Sequence, residues 1–374
     1  MNYQHLLFCE KSVKISVLLI IIVIFMAGLW PFTIWPQNEV RWLKESKGIQ
    51  FYGRGIIYSP SPTDSPSSSF FSAGSFTIEL WVQPDTESYG YVSRIFSIYD
   101  SLESEEFFIG QWKSYLILRK RILSAEGKET YQEVAVANAL QKGKRCFISI
   151  TSDTQNTFAY IDGRLEKIFP KFSLSPKIPK NANQIILGNS PTGKSHWLGT
   201  LLGLAIYSEM LSPCMIHQNF KKWISGKTPA NLRSENDTII FSFSESSGMI
   251  IKDQMNRHSL LMPVRFQLIQ KVILQSPWKE FRWKFYYFED IFLNIIGFIP
   301  FGFFTSALLK NKFKSNPRFS LLVIVLGFCL SLLIELIQVY LPNRDSQTMD
   351  VLTNTLGSYL GIMLFRFKPI LIPI

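Results

Sequence analysis

Four apolar runs decide what this chain can fold into. One spans Ile15 to Pro36, and three follow late: Phe288 to Leu309, Phe319 to Leu341 and Val351 to Phe367. At 1.5 Å per helical residue, about twenty apolar residues cross the roughly 30 Å hydrocarbon core of a bilayer. The chain has 374 residues, room for more than one domain. Hydrophobic residues make up only 47% of it, so the membrane signal is confined to those runs.

Lys11 and Lys14 precede the first run. A cleaved signal peptide is the alternative reading. The run is long for one, and Trp30-Pro31-Phe32 stands where small residues would be needed. We expect an uncleaved anchor: residues 1–14 cytoplasmic, 15–36 crossing, with Trp30, Trp35 and Trp42 at the far interface.

Residues 48–263 read as a β domain. Phe76 to Val82 alternates apolar and polar, and similar short strands fall at 114–119, 145–151, 157–161, 184–188 and 238–243. Short strands separated by turns indicate an all-β sandwich or jelly roll. Asp162-Gly163 is a two-residue hairpin turn. The Pro/Ser stretch Ser59 to Ser69 cannot hold a ladder. One short helix is expected, Ser212 to Trp223, with Ser212 as N-cap and Pro213 at the first helical position.

Residues 264–287 are basic and aromatic, either an interfacial segment or a connector carrying an aromatic belt. The net charge of +11 comes from residues that are scattered or flank apolar runs. It fits membrane orientation and anionic headgroups rather than nucleic acid, which we exclude as a partner. None of the four cysteines forms a CxxC or a zinc spacing. Cys146 and Cys214 either pair, if their domain is exported, or stand as unpaired small hydrophobes. No metal or cofactor is expected.

Lys310, Lys312, Lys314 and Arg318 mark the link after the second run as cytoplasmic, and the sparsely charged 342–349 link then lies outside. Both termini are therefore expected in the cytoplasm and the β domain outside. Arg41, Lys44, Lys279, Arg282 and Lys284 oppose this order, but large domains cross largely regardless of charge.

That orientation gathers the polar residues of the apolar runs in one leaflet. Asp290 and Asn294 open the second span, Glu335 and Gln338 close the third, and Asp350 and Asn354 open the fourth, with Arg344 in the outer loop. Asp290/Asn294/Gly297 and Asp350/Asn354/Gly357 share one spacing, which places each trio on one helical face. Charges and amides are costly in hydrocarbon and usually face a bundle interior. Arg344 suits a phosphate or carboxylate, and the amides suit sugar or peptide groups. A purely structural network is the alternative reading. No histidine lies in the spans and nothing supplies a nucleophile beside Glu335, so no catalytic residue is assigned and an enzyme is the less favoured reading.

Two resemblances add to this. Ser75 to Pro84, Tyr160 to Gly163, Ile186 to Asn189 and Gly199 to Leu211 resemble the laminin G-like, concanavalin A-like jelly-roll family. Ile240 to Phe243 with Gly248 and Asp253 looks like that family's opening strand placed last, as in a circular permutation. Asn294 to Phe304, Glu335 to Gln338, Arg344, and Asp350 to Gly357 with Gly361 resemble the VanZ-like family of four-helix membrane proteins. Together they imply a multidomain membrane protein: a four-transmembrane-helix α bundle with an all-β jelly-roll sandwich inserted between helices 1 and 2. The VanZ-like resemblance implies a role in the bacterial envelope, linked by name to glycopeptide resistance, and no reaction.

The expected location is the bacterial cytoplasmic membrane. The expected partners are membrane lipids and an envelope glycan, lipid-linked precursor or protein. The expected function is a sandwich that binds glycan or protein and a bundle that holds an envelope lipid or a glycopeptide-type amphiphile. An enzyme acting on lipid-linked glycan and an inert anchor are the alternatives. Cysteine labelling in intact cells checks the orientation: Asp345→Cys should react with an impermeant reagent from outside, and Lys312→Cys only after lysis.

Overall fold

The computed structural model describes residues 10–60, 74–87, 90–100, 104–123, 129–174, 183–229, 238–281, 283, 285–310 and 318–367. Most of the Pro/Ser stretch, and Lys312 and Lys314, lie outside the described residues. The chain forms two compact units: Met1–Trp35 with Lys271–Ile374, and Pro36–Gln270.

The second unit is a sandwich of two antiparallel sheets. The first sheet runs β1 (Val40–Trp42), β2 (Ile49–Tyr52), β13 (Leu198–Tyr207), β4 (Phe76–Pro84), β9 (Cys146–Ser152), β10 (Thr157–Ile161), β11 (Arg164–Phe169), with β14 (Thr238–Phe241) also on β13. The other runs β15 (Ile250–Lys252), β16 (Ser259–Leu261), β3 (Ile57–Tyr58), β12 (Asn183–Leu187), β5 (Ser93–Asp100), β6 (Ser104–Trp112), β7 (Tyr115–Leu123), β8 (Glu129–Val136). Their inner faces enclose one core that includes Ile78, Leu80, Phe96, Ile109, Ile148 and Trp197.

Local chemistry sets the turns. Asp162 and Gly163 both take left-handed backbone, φ 48° and 74°, and join Ile161 to Arg164, as a tight hairpin requires. Helix α2 (Pro213–Ile224) starts where the Ser212 side chain accepts the Met215 N–H and Pro213 fills the first helical position.

The alternation in β4 leads one to expect a solvated outer face, yet most of the strand is buried on both sides. Thr77 and Glu79 are both buried: Thr77 bonds the Glu209 carbonyl and the Leu211 N–H just before α2, and α2 covers Glu79. The Glu79 carboxylate, fully buried, accepts from Asn219 Nδ2 (2.9 Å), Tyr207 Oη (3.2 Å) and Trp223 Nε1 (3.3 Å).

The late strands complete the sandwich. β2 pairs with Leu198 to Leu201 of β13, and β14 pairs with Leu204 to Tyr207 along the same edge. The entering and leaving chains also meet. Asn38 N–H donates to the Val264 carbonyl (3.1 Å), Phe266 N–H donates to the Pro36 carbonyl (2.9 Å), and Gln37 bridges Arg265. Cys146 is buried, Cys214 is exposed, and both are free thiols.

The first unit is helical: α1 (Glu10–Leu29), a single turn α3 (Pro277–Glu280), α4 (Phe285–Lys310), α5 (Arg318–Gln338) and α6 (Thr348–Phe367). Among the described residues three helices are long and apolar enough to cross a membrane: α1, α4, and α5 from Phe319. This corrects the expectation of four. α6 has 20 residues but carries Asp350, Thr353, Asn354, Thr355, Ser358 and Arg366, too polar for a span judged by composition. Thr353, Asn354 and Ser358 are buried, so much of that polarity faces protein. α1 ends at Leu29 rather than Pro36, because Pro31 brings no N–H to continue the ladder.

Burial pushes the Glu79 carboxyl up from its ordinary value to about 7, against the opposing pull of its three donors. The folded state then holds a proton that the unfolded chain releases at about pH 4.5. Glu79 therefore favours folding most below pH 4.5, and that contribution falls as pH rises to about 7 and levels above it. We expect Glu79→Gln to flatten this part of the slope, read as the difference in unfolding temperature between variant and wild type from pH 4 to pH 8.

Candidate functional site

Packing between backbones fixes the levels of the bundle's polar residues. A methyl added at Gly357 would overlap the Ile295 carbonyl, one at Gly361 the Ile299 carbonyl, and one at Gly302 the Ser358 carbonyl. These contacts advance together along both chains, so α4 and α6 run parallel. Small residues allow this approach where hydrocarbon supplies no hydrophobic drive between helices. Gly297, of the shared spacing, has open space around it and serves no contact.

α5 runs antiparallel to α6. Gly327 lies against Ser358 and Asn354 Nδ2 donates to Ser331 Oγ (2.8 Å). Extending that register places Glu335 level with Asp350. α1 runs antiparallel to α4, since Val13 clusters with Ala307 and Ile24 with Phe298 and Ile334. Asn294, one turn from Phe298, then falls level with Gly28 and Gln338.

The expected residues thus gather at the end of the bundle where α1 and α5 stop and α4 and α6 start. Glu335, 1% exposed, accepts the Gln347 N–H at 2.6 Å. Gln338 Nε2 donates to the Gly28 carbonyl at 2.9 Å. Arg344 donates from Nε to the Trp30 carbonyl and from Nη2 to the Ala27 carbonyl, both at 3.0 Å. The guanidinium therefore caps the last turn of α1, where orphan carbonyls and the helix dipole favour a cation. Asp290 is exposed and Asp350 half-buried at the helix starts.

Three buried amide atoms at this end have no hydrogen-bond partner: Asn294 Nδ2, Gln338 Oε1 and Asn354 Oδ1. Gln338 is 5% and Asn354 6% exposed. Leaving such groups unpaired costs about 1–3 kcal/mol each. One donor and two acceptors beside a buried carboxylate form a set that can accept the polar part of another molecule. Ser331 belongs to the same band. Its place on the Glu335 face of an apolar run was the only signal for it.

The loop before α6 is clamped by the connector. Leu274 N–H donates to Ser346 Oγ (3.1 Å), Gln275 N–H to the Ser346 carbonyl (2.8 Å) and Thr348 Oγ1 to the Leu274 carbonyl (2.9 Å). Nearby Trp278, Trp283 and Phe285 are 90%, 84% and 83% exposed.

In the sandwich, three loop carboxylates are engaged by donors of the protein itself. Asp85 accepts from Gln50, Asp153 from the N–H groups of Gln155 and Asn156, and Asp162 from the Phe147 N–H. Among the described residues no group of three or more His, Cys, Asp or Glu is placed to hold a metal. Trp197 is fully buried and donates to Gln111 Oε1 (2.8 Å), while His196 contacts Tyr91.

A β-sandwich unit and a helical unit with three membrane-length helices define a membrane protein that carries a β domain. Residues 60–217 match the concanavalin A-like lectin/glucanases superfamily and residues 238–371 match VanZ/LLP1. The chain thus carries a VanZ/LLP1 family region and a concanavalin A-like lectin domain. The VanZ/LLP1 match starts in β14 and takes in the strands that complete the sandwich.

Protein VanZ of Enterococcus faecium is 36% identical over 81 residues, which are 21% of this chain and 45% of that protein. The match therefore spans less than half of that relative's length. Two solved structures show a partial likeness to the chain. One is a Bacteroides ovatus protein described as a candidate carbohydrate binder, with 16% identity, 60% of this chain and 59% of that chain, and TM-score 0.42. The other is the Ruminococcus gnavus sialidase CBM40 with bound sialyllactose, with 11% identity, 48% and 95%, and TM-score 0.36. At these scores the assignment of the sandwich rests on its family match and its own strand order.

The glycine contacts yield a paired expectation. Gly357→Ala should force α4 from α6 and cost about 1–3 kcal/mol. Gly297→Ala should be neutral or stabilise by up to about 1 kcal/mol. Thermal unfolding of the two purified variants in detergent checks both.

Proposed function

We propose that the sandwich recognises glycan or protein of the bacterial envelope while the bundle holds the polar part of an envelope lipid or glycopeptide-type amphiphile in the outer leaflet. The observation that carries the bundle reading is the trio of buried, unpartnered amide atoms on Asn294, Gln338 and Asn354 at one end of four helices. They lie with Glu335 in a band where the three unpaired groups would otherwise be a standing cost.

In this reading the amides hydrogen-bond the ligand and Glu335 orients them. Arg344, held by the α1 carbonyls, offers its charge to an anionic headgroup. Asp290 and Asp350 stand at the entrance and meet cationic groups. α6 packs parallel to α4 with Thr353, Asn354 and Ser358 buried against protein. Both termini are cytoplasmic and the sandwich is exported from the cytoplasmic membrane. The sandwich reading is supported by the concanavalin A-like lectin match over residues 60–217. Reading the bundle as an inert anchor draws on the Asn354–Ser331 and Gln338–Gly28 bonds, which tie helices together without a ligand. No reaction is assigned.

Binding of a fluorescent phosphatidylglycerol and of a polyprenyl-phosphate-linked sugar to the full chain in nanodiscs separates the two. For a ligand site, Asn354→Leu and Gln338→Leu should weaken binding of at least one probe about tenfold or more. Failure of both probes to bind the wild type, or equal binding to wild type and both variants, would leave the anchor reading in place.

A further inference from the structure

The sandwich carries a cleft that the lectin match does not cover. Its volume is about 630 Å³, within the range that holds small ligands. Four separate stretches wall it: the β1–β2 turn, the chain after α2, the chain after β14, and the β15–β16 turn. Apart from Gly226, every lining residue is polar or charged, with no aromatic or aliphatic side chain among them. A neutral sugar is ordinarily gripped by stacking its apolar face on an aromatic ring, and this cleft offers none.

Its charges are unequal in availability. Lys47, Lys227 and Lys252 are exposed, each at the end of a different stretch. The two carboxylates are committed to backbone. Asp253, 3% exposed, accepts the Arg257 and His258 N–H groups at 2.7 and 2.8 Å, and Glu245 accepts the Lys252 N–H at 2.9 Å. Between the lysines lie hydroxyls and amides. Phe243 takes left-handed backbone, φ 48°, while its ring stays buried against Phe241. The flanking Ser242 and Ser244 hydroxyls are 3.1 Å apart at the cleft wall. Gln254 and Asn256 line the cleft from the β15–β16 turn, with Gln254 Nε2 donating to Thr228 Oγ1 at 2.5 Å.

We infer that this cleft binds an anionic, hydroxyl-rich ligand of the phosphosugar or polyol-phosphate class, with the lysines on the phosphate and the serines, Gln254 and Asn256 on the hydroxyls. The inference rests on the reading of the sandwich as glycan-binding and names both the place and the chemistry. Ammonium groups on separate loops converge on one anion as point charges. The hydroxyls and side-chain amides supply both donors and acceptors for a polyol. The same chemistry is present in a free phosphosugar and in a phosphate-linked polymer.

Calorimetric titration of the detergent-purified full chain tests it, with glucose 6-phosphate, glucose, inorganic phosphate and a poly(glycerol phosphate) as probes. Glucose 6-phosphate should bind about tenfold or more tightly than either glucose or phosphate alone, and its affinity should fall with added salt. Tighter binding of the polymer than of the monomer marks a polymeric source, and the reverse a free one. The Lys47→Gln/Lys252→Gln double variant should lose about tenfold or more in affinity. Lys144→Gln, outside the cleft, should lose none, and unfolding temperatures should not change, because all three lysines are exposed. Equal affinity of the double variant, or equal binding of phosphate and glucose 6-phosphate, would overturn the assignment. If neutral glycans bind and the double variant leaves that binding intact, the cleft is wrong and glycan recognition by the sandwich stands. If no glycan or phosphosugar binds, both fall.

Discussion

The helical unit depends on one backbone-to-backbone approach, that of α4 on α6. Lipid tails are as apolar as the side chains they meet, so burying leucine does little to join helices in a bilayer. Close fit has to serve instead. At Gly302, Gly357 and Gly361 there is no room for even a methyl group. That contact sets the relative height of the two helices, and α5 is then registered against α6 through Gly327 and the Ser331–Asn354 bond. The levels of Asn294, Glu335 and Asn354 follow from this packing. The polar band is therefore a product of where small residues sit, as much as of the polar residues themselves.

The sandwich is built on the opposite physics. It excludes water between two sheets and buries one continuous apolar core. One exception is Glu79, a carboxylate sealed under α2 by a tyrosine, an asparagine and a tryptophan. Such a group costs stability unless every lone pair is met or the acid is protonated. What it gives in return is direction: only one placement of α2 brings Asn219 and Trp223 to the same carboxylate.

Much of the architecture was legible in the residues. Alternation located β4, Asp162-Gly163 located a hairpin, and Ser212-Pro213 located the start of α2. Each is a local rule that few neighbours can override. The rest needed the third dimension. Period-2 alternation reads Glu79 as an outward polar residue, since the helix that covers it lies far along the chain. Arg344 reads as a loop cation open to an anion, yet it caps α1, whose last turn lies more than three hundred residues away in sequence. The Asp/Asn/Gly spacing recurs in α4 and α6, but only the α6 copy puts its glycine at a contact. The lysine cleft is assembled from four stretches that no single window contains. The polar α6 also shows that run length alone overcounts spans when a helix turns its serine, threonine and asparagine toward protein.

The pairing of the entering and leaving chains has a mechanical consequence. Three successive links join them: Asn38 to Val264, Gln37 to Arg265, and Pro36 to Phe266. Drawn apart, the two strands would unzip one link at a time, from the outermost inward. Pulled in the same direction, they share the load, and tension on the sandwich is divided between two chains rather than focused on one. The same geometry makes the sandwich a cassette. Excised between Pro36 and Phe266, it would leave two ends already a hydrogen bond apart, so its gain or loss demands no new spacer.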